Sequence, residues 1–446
     1  MNKKVGYLIK SLLPLFFMVN ILVLTSVNSA ITYDSIHHGY FEDPYKVITW
    51  GGDGNETDVY STVDSFGNTI TTFYSDSYSA SNDTYIVKFN YKGEEEWNVS
   101  LNIADATKPV GIYNDASNNV YVAGQVLTEA PGPVSNLFIL KYNANGSVFY
   151  NKFHNDINND EVPTGMSLDN DGNIFIVGKT NNTAGDIFIH KFDNDGDHVL
   201  TRYYGNTSPK EALNVGKIAI DSAGDLYIAA STNATTPSNI VDQVLIKLNF
   251  TAGISYWNTT FGSSSDMDAG LDVAISDGNV FLTGHYYDNI TSDFDAVAVN
   301  INATTGSIIW SSTFDFDNDY SNSIAVNLHG NPVISGVTDV AGNMDIFVVE
   351  FNQTGHILWN TTHEATTLEN QFDTYIQNEF LYVSGSQYVV ADGSFDVIII
   401  IYEENTELLV PAPGPYGMIF GIIIGVIVIG FTATMIVLIL YTYWKK

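Results

Sequence analysis

The residues with the most evident chemical capacity are clustered carboxylates. Asp169-Asn-Asp-Gly-Asn173, Asp193-Asn-Asp-Gly-Asp197 and Asp315-Phe-Asp-Asn-Asp319 each supply closely spaced oxygens. Hard cations such as calcium prefer ligands of that kind. Asp169, Asp171, Asp193, Asp195, Asp197, Asp315, Asp317 and Asp319 are therefore candidate calcium ligands. None of the clusters completes an EF-type loop with its distal glutamate. Asn/Asp/Gly clusters also build ordinary hairpin turns, and turn chemistry is the reading expected at any single loop. The nine histidines are scattered, and only His37 and His38 are adjacent. Imidazole ligands need convergent partners, so that pair reads as an exposed polar turn. There is no Gly-x-Ser-x-Gly elbow, no His-Glu-x-x-His pair and no phosphate-cradling glycine loop. No catalytic residue and no cofactor other than calcium is expected.

The most numerous chemical motif is the Asn-x-Ser/Thr acceptor for N-glycosylation. It occurs at Asn55, Asn82, Asn98, Asn145, Asn181, Asn206, Asn233, Asn249, Asn258, Asn289, Asn302, Asn352 and Asn360. Several recur behind a tryptophan, as Trp97-Asn98, Trp257-Asn258 and Trp359-Asn360. That recurrence points to a repeat that carries the acceptors with it.

The repeat has two anchors. The first is an Asp/Asn/Gly turn followed by an alternating apolar strand ending in a small residue. Examples are Asn118-Asn-Val-Tyr-Val-Ala-Gly124, Asp171-Gly-Asn-Ile-Phe-Ile-Val-Gly178 and Asp277-Gly-Asn-Val-Phe-Leu-Thr-Gly284, with a degenerate copy at Asn378 to Gly385. About twenty residues later comes a second strand, as in Tyr85 to Asn90, Phe138 to Asn143, Val244 to Asn249 and Val397 to Tyr402. A glycine turn and an aromatic close most units, for example Gly306 to Trp310. Seven copies in step, each long enough for four short strands, predict an all-β fold. The expected form is a single seven-bladed β-propeller of four-stranded antiparallel blades. The seventh copy fades after Tyr402, while Val47-Ile-Thr-Trp-Gly-Gly52 looks like its missing outer strand. Pairing of that segment with Val397 to Ile401 would close the ring.

The string Asp-x-x-Gly-Asn-hydrophobic-Tyr-x-x-Gly, then Asp-x-Phe-x-x-Lys-x-Asn-x-x-Gly, is matched most nearly by Asp169 to Gly178 and Asp186 to Asp195. It resembles the seven-bladed β-propeller repeat family of bacterial and archaeal surface proteins. The resemblance covers all seven repeats, with the strand lysine replaced by Val299 and Glu350 in the fifth and sixth. It implies a fold and carries no shared catalytic site. Asn302-Ala-Thr-Thr-Gly-Ser-Ile-Ile-Trp310 is similar to the tryptophan-docking repeat of quinoprotein dehydrogenases. Those are eight-bladed enzymes, and the vicinal cysteines of many of them have no counterpart here. In non-enzymatic propellers the same glycine and tryptophan serve packing between blades.

The two ends and the charge set the setting. Lys3, Lys4 and Lys10, the apolar run Leu12 to Val27, and small residues up to Ala30 form a secretory signal pattern. Met418 to Tyr443 contains no charged residue and is long enough to span a bilayer, with Lys445 and Lys446 behind it. The expected organisation is a signal peptide at 1–30, an N-terminal extension at 31–46 and a propeller at 47–410. A Pro/Gly stalk at 411–417, a transmembrane helix at 418–444 and a cytoplasmic tail at 445–446 complete it. This is a single-pass protein of the cell membrane with its N-terminal ectodomain outside, and the bilayer is a partner through the C-terminal helix. All fifty acidic residues, against eleven lysines and Arg202, lie between the two hydrophobic ends. Such a surface repels phosphate backbones, which excludes nucleic acid as a partner. With no cysteine, the exterior must be stable through its own core. The function expected is non-catalytic binding or scaffolding for an extracellular protein or glycan. The alternatives are a structural component of the cell envelope and a quinoprotein-like dehydrogenase. An enzyme should show a buried cluster of charged residues at the channel.

Overall fold

The computed structural model describes residues 44–404, apart from 78–81, 102, 104–105, 128–134, 156–160, 181–186, 206–211, 233–240, 263–267, 289, 341, 364–368 and 392. The signal segment, the stalk, the transmembrane segment and the acceptors Asn181, Asn206, Asn233 and Asn289 lie outside the described residues. No helix among the described residues is long and apolar enough to cross a membrane.

Twenty-eight strands form seven antiparallel four-stranded sheets. Six blades are continuous in sequence: 56–100, 106–155, 161–204, 212–261, 269–314 and 318–363. The seventh takes Glu369–Gln377, Phe380–Val389 and Ser394–Glu403 from the end of the chain and Lys46–Trp50 from its beginning. The register Lys46 with Ile401 through Trp50 with Val397 is the closure that the fading seventh repeat implies. It covers an edge whose free N–H and C=O groups would otherwise template association.

The strands form as they do because each blade is sandwiched between two others. Second and third strands carry apolar residues on both faces, and Val120 to Ala123 are all buried. Each junction has its own core, such as Phe188, Phe192, Ile174 and Ile176 of blade three against Tyr121, Leu137 and Ile139 of blade two. Burying one such side chain stabilises by roughly 1.5–3 kcal/mol, and no single cluster dominates. Outer strands are half-exposed and alternate, as Ile254–Phe261 shows.

Hairpin chemistry explains the carboxylate clusters. Asp169 Oδ1 accepts the backbone N–H groups of Asp171 at 3.0 Å and Asn173 at 2.9 Å, while Oδ2 accepts from Asn173 Nδ2 at 2.8 Å. Asp193 repeats this with the N–H groups of Asp195 and Asp197. Gly172 closes its turn at φ 77°, and Asn118 takes the same position in blade two at φ 61°, a conformation that only glycine and short polar residues adopt cheaply. Tryptophans on outer strands then dock on the following blade. Trp97, Trp257 and Trp310 donate Nε1–H to the carbonyls of Ala144, Ala303 and Gln353. A Cβ on Gly306 would lie 2.7 Å from the Trp257 ring, and one on Gly355 2.9 Å from Trp310. The Asn302 to Trp310 segment thus serves packing between blades.

Candidate functional site

Two concave regions deserve the name. The first is the channel, a cavity of about 220 Å³ lined by residues from all seven inner strands. Every inner strand carries a register shift against its neighbour at the same level, for example between Pro109 and Gly111, Pro163 and Gly165, and Gly270 and Asp272. A bulge re-aims the residue beside it. At this level the seven repeats hold Tyr60, Gly111, Gly165, Lys217, Asp272, Ser323 and Asp373. Gly111 and Gly165 present no side chain there.

Lys217 of blade four is held by two carboxylates. Its Nζ lies 3.1 Å from Asp272 Oδ2 and 2.5 Å from Asp373 Oδ1, with Ser323 Oγ at 3.4 Å. Asp272 also accepts Ser323 Oγ–H at 2.7 Å and the Ile324 N–H at 3.1 Å, and Asp373 accepts the Ser61 N–H at 3.2 Å. Five blades are tied to one ammonium. Burial works against the Lys217 charge, but Asp272 and Asp373 outweigh it and hold the amine above its ordinary range. Burial pushes Asp272 up, against the pull of Lys217. Around them, burial raises Tyr60 and pushes Tyr113 up to about 12, so both phenols stay protonated at neutral pH.

The second region is a groove of about 300 Å³ where blade seven meets blade one. Tyr45, which leads into the closing strand, packs on Phe380 with ring centroids 5.6 Å apart. Phe66 and Tyr91 stand on two turns of blade one and are 74% and 63% exposed. Asn378, Gln377 and Ser65 add polar atoms. Gln377 donates Nε2–H to the Asp64 carbonyl at 2.9 Å, and its Oε1 is buried without a hydrogen-bond partner among the described residues. Lys46 and Lys92 sit 5.5 and 5.6 Å from the Tyr45 and Tyr91 ring centres.

The calcium candidates are distributed differently. Asp169 and Asp193 hold turns, Asp171 and Asp195 are exposed, and Asp197 pairs with Lys152 at 2.6 Å. Asp315 is exposed, while Asp319 is buried and accepts the N–H groups of Phe316 and Asp317. Burial raises Asp319 to about 6. Of the described acceptor asparagines, Asn98, Asn145, Asn258 and Asn360 are exposed on outer strands or their turns. Asn55 and Asn82 instead donate their amides to Asp76 and Tyr74.

Inspection of single motifs does not find Lys217, Asp272 and Asp373, because each lies in a different repeat and none sits in a motif. Superposing the repeats at the bulge would have exposed the position, since three of the seven copies carry a charge there and two carry glycine. The groove rings escape for another reason, as they meet only when the first strand joins the last blade.

Fold and site together define a seven-bladed β-propeller with an ion-clamped channel and one aromatic groove. No family model and no curated protein matches the chain. Among solved structures, a protein of unknown function from Dyadobacter fermentans DSM 18053 is similar at 7% identity, over 82% of this chain and 100% of that one, with a TM-score of 0.49. The polysaccharide lyase Uly1 is similar at 12% identity, over 82% of this chain and 94% of that one, with a TM-score of 0.48.

Proposed function

We propose that this protein is a membrane-anchored cell-surface propeller, of the surface-repeat kind, that acts as a non-catalytic binding module for a glycan or protein ligand. The observation that carries the reading is the groove at the closing blade. Exposed aromatic faces beside amide side chains suit stacking on a sugar ring and bonding to its hydroxyls. A glycan fits this arrangement better than a protein segment, because the groove is short and its polar atoms are single acceptors and donors.

A catalytic reading has one observation on its side, the buried charged cluster in the channel. Its charges engage one another, however, and its cavity of about 220 Å³ is smaller than the roughly 300–1,000 Å³ of ordinary ligand pockets. The clamp is better read as the structural hub of the ring.

The test is a glycan array probed with the detergent-solubilised full chain and with Phe66→Ala and Tyr91→Ala. Both side chains are exposed, so the variants should melt as the parent does. Loss of signal in both supports the groove. Retention undiminished in both refutes it.

A further inference from the structure

We propose a second site, a divalent transition-metal centre formed by His154, His190 and His198 at the junction of blades two and three. His154 comes from the outer strand Val148–Asn155 of blade two. His190 stands on the third strand Ile187–Phe192 of blade three, and His198 begins its outer strand His198–Tyr204. Ligand nitrogens of all three lie within 4.8 Å of one another. Tetrahedral zinc with bonds near 2.1 Å needs nitrogens roughly 3.4 Å apart, so the rings have to close by up to about 1.4 Å.

The buried member is already set for the task. His190 Nε2 lies 2.8 Å from Glu161 Oε2, and Tyr203 donates its hydroxyl to Glu161 Oε1 at 3.1 Å. An ionised carboxylate only accepts, so this contact favours a proton on Nε2, and in the neutral ring that leaves the lone pair on Nδ1. A carboxylate behind a ligating imidazole is the arrangement that fixes the tautomer and raises ligand basicity at metal sites. Nδ1 faces Thr201 Oγ1 at 2.7 Å, and His198 Nε2 approaches the same hydroxyl at 2.8 Å. Two imidazoles therefore converge on one small group. His154 stacks on His198 with centroids 4.5 Å apart and meets His190 edge-on at 5.0 Å, so the His154 ring has to rotate out of the stack for its in-plane lone pair to share a metal with His198.

Comparison between repeats argues that the cluster is not packing. At the position of His190 the other third strands carry Val87, Leu140, Ile246, Val299, Val349 and Ile400, each paired to the second strand at the same register, so the strand lysine of the fifth repeat is replaced by Asn300 and not, as the sequence suggested, by Val299. A buried imidazole costs more than the valine, leucine or isoleucine it replaces, whereas Glu161 is a feature of the repeat, with Glu56, Asp319 and Glu369 at the same register. The ring burial runs from buried His190 through half-buried His154 to exposed His198, which leaves one side open to solvent. Three neutral imidazoles select zinc, copper, nickel or cobalt over calcium and magnesium. Three protein ligands leave a fourth position for water or a ligand group.

The experiment is calorimetric titration of chelator-treated full-length protein with zinc chloride, with cobalt absorption as the geometric readout. One zinc per chain is expected, with tetrahedral cobalt bands. His154→Asn and His198→Asn should each lower affinity at least tenfold, and Glu161→Gln by roughly 10–100-fold. His356→Asn, an exposed histidine elsewhere, should change nothing. His190 is avoided because its buried replacement could misfold. Absence of stoichiometric zinc binding, or binding undiminished in both His154→Asn and His198→Asn, overturns the site.

Discussion

Replacing Lys217 by methionine probes the channel clamp most directly. The stem volume is nearly kept, and what is lost is the ammonium between Asp272 and Asp373. The lysine side chain is 22% exposed and its partners 8% and 17%, so the pair is largely but not wholly desolvated. Removing one partner of a buried ion pair costs about 3–5 kcal/mol, because the remaining charge is left uncompensated. The residual exposure argues for the lower end, about 3 kcal/mol at pH 7. The sign of the pH dependence follows. Without Lys217 the Asp272 carboxyl, already raised by burial, loses the charge that pulls it down and rises further, so it binds its proton more readily folded than unfolded. The loss is then full above that raised range and shrinks as pH falls toward 4. Urea unfolding followed by tryptophan fluorescence reads both quantities. The triple variant Lys217→Met/Asp272→Asn/Asp373→Asn should recover most of the loss, since no bare charge remains. A loss under about 1 kcal/mol with no pH dependence would show that channel water screens the cluster, and the clamp would be refuted.

Two further outcomes are expected. Deleting residues 31–52 removes the strand paired with Val397 to Ile401; cooperative melting should be lost, and unchanged calorimetric melting would contradict the closure. Burial raises Asp295 and Asp319 to about 6 from 3.8, with neighbouring carboxylates adding to the effect. A folded pKa above the unfolded one means stability falls as pH rises from about 4 to 6, by up to roughly 3 kcal/mol per group. Asp295→Asn and Asp319→Asn should therefore raise the melting temperature at pH 7 and do little at pH 4, and equal effects at both would refute the assignment.

How much could be read from the chain depends on range. The blades were legible because the Asp-x-x-Gly-Asn turn and the alternating strand behind it are local, and local chemistry repeats where the structure repeats. Closure was legible from a defect, the seventh unit ending without its glycine and aromatic. The turn role of Asp169 and Asp193 was equally local, since the N–H groups that donate to them are two and four residues away. The channel was not legible in single motifs, because Lys217, Asp272 and Asp373 meet only through ring geometry. The histidines hid in the same way. His154 and His190 belong to different repeats, and the signal lay in His190 interrupting a column of valine, leucine and isoleucine.

The shared closing blade also decides how the disc bears load. The chain continues beyond Glu404 from a third strand, not from an edge. Ser394–Glu403 is paired along ten residues with the second strand and along five with Lys46–Trp50. Tension applied through the segment after Glu404 runs along that strand and shears two ladders at once. Had the outer strand been the last in sequence, the same pull would have reached an edge with one neighbour, and the hydrogen bonds would have opened singly like a peeled strip. The early strand acts as a clamp outside the force path, so on the binding and anchoring proposed above a ligand dragging on the disc strains the blade across its width.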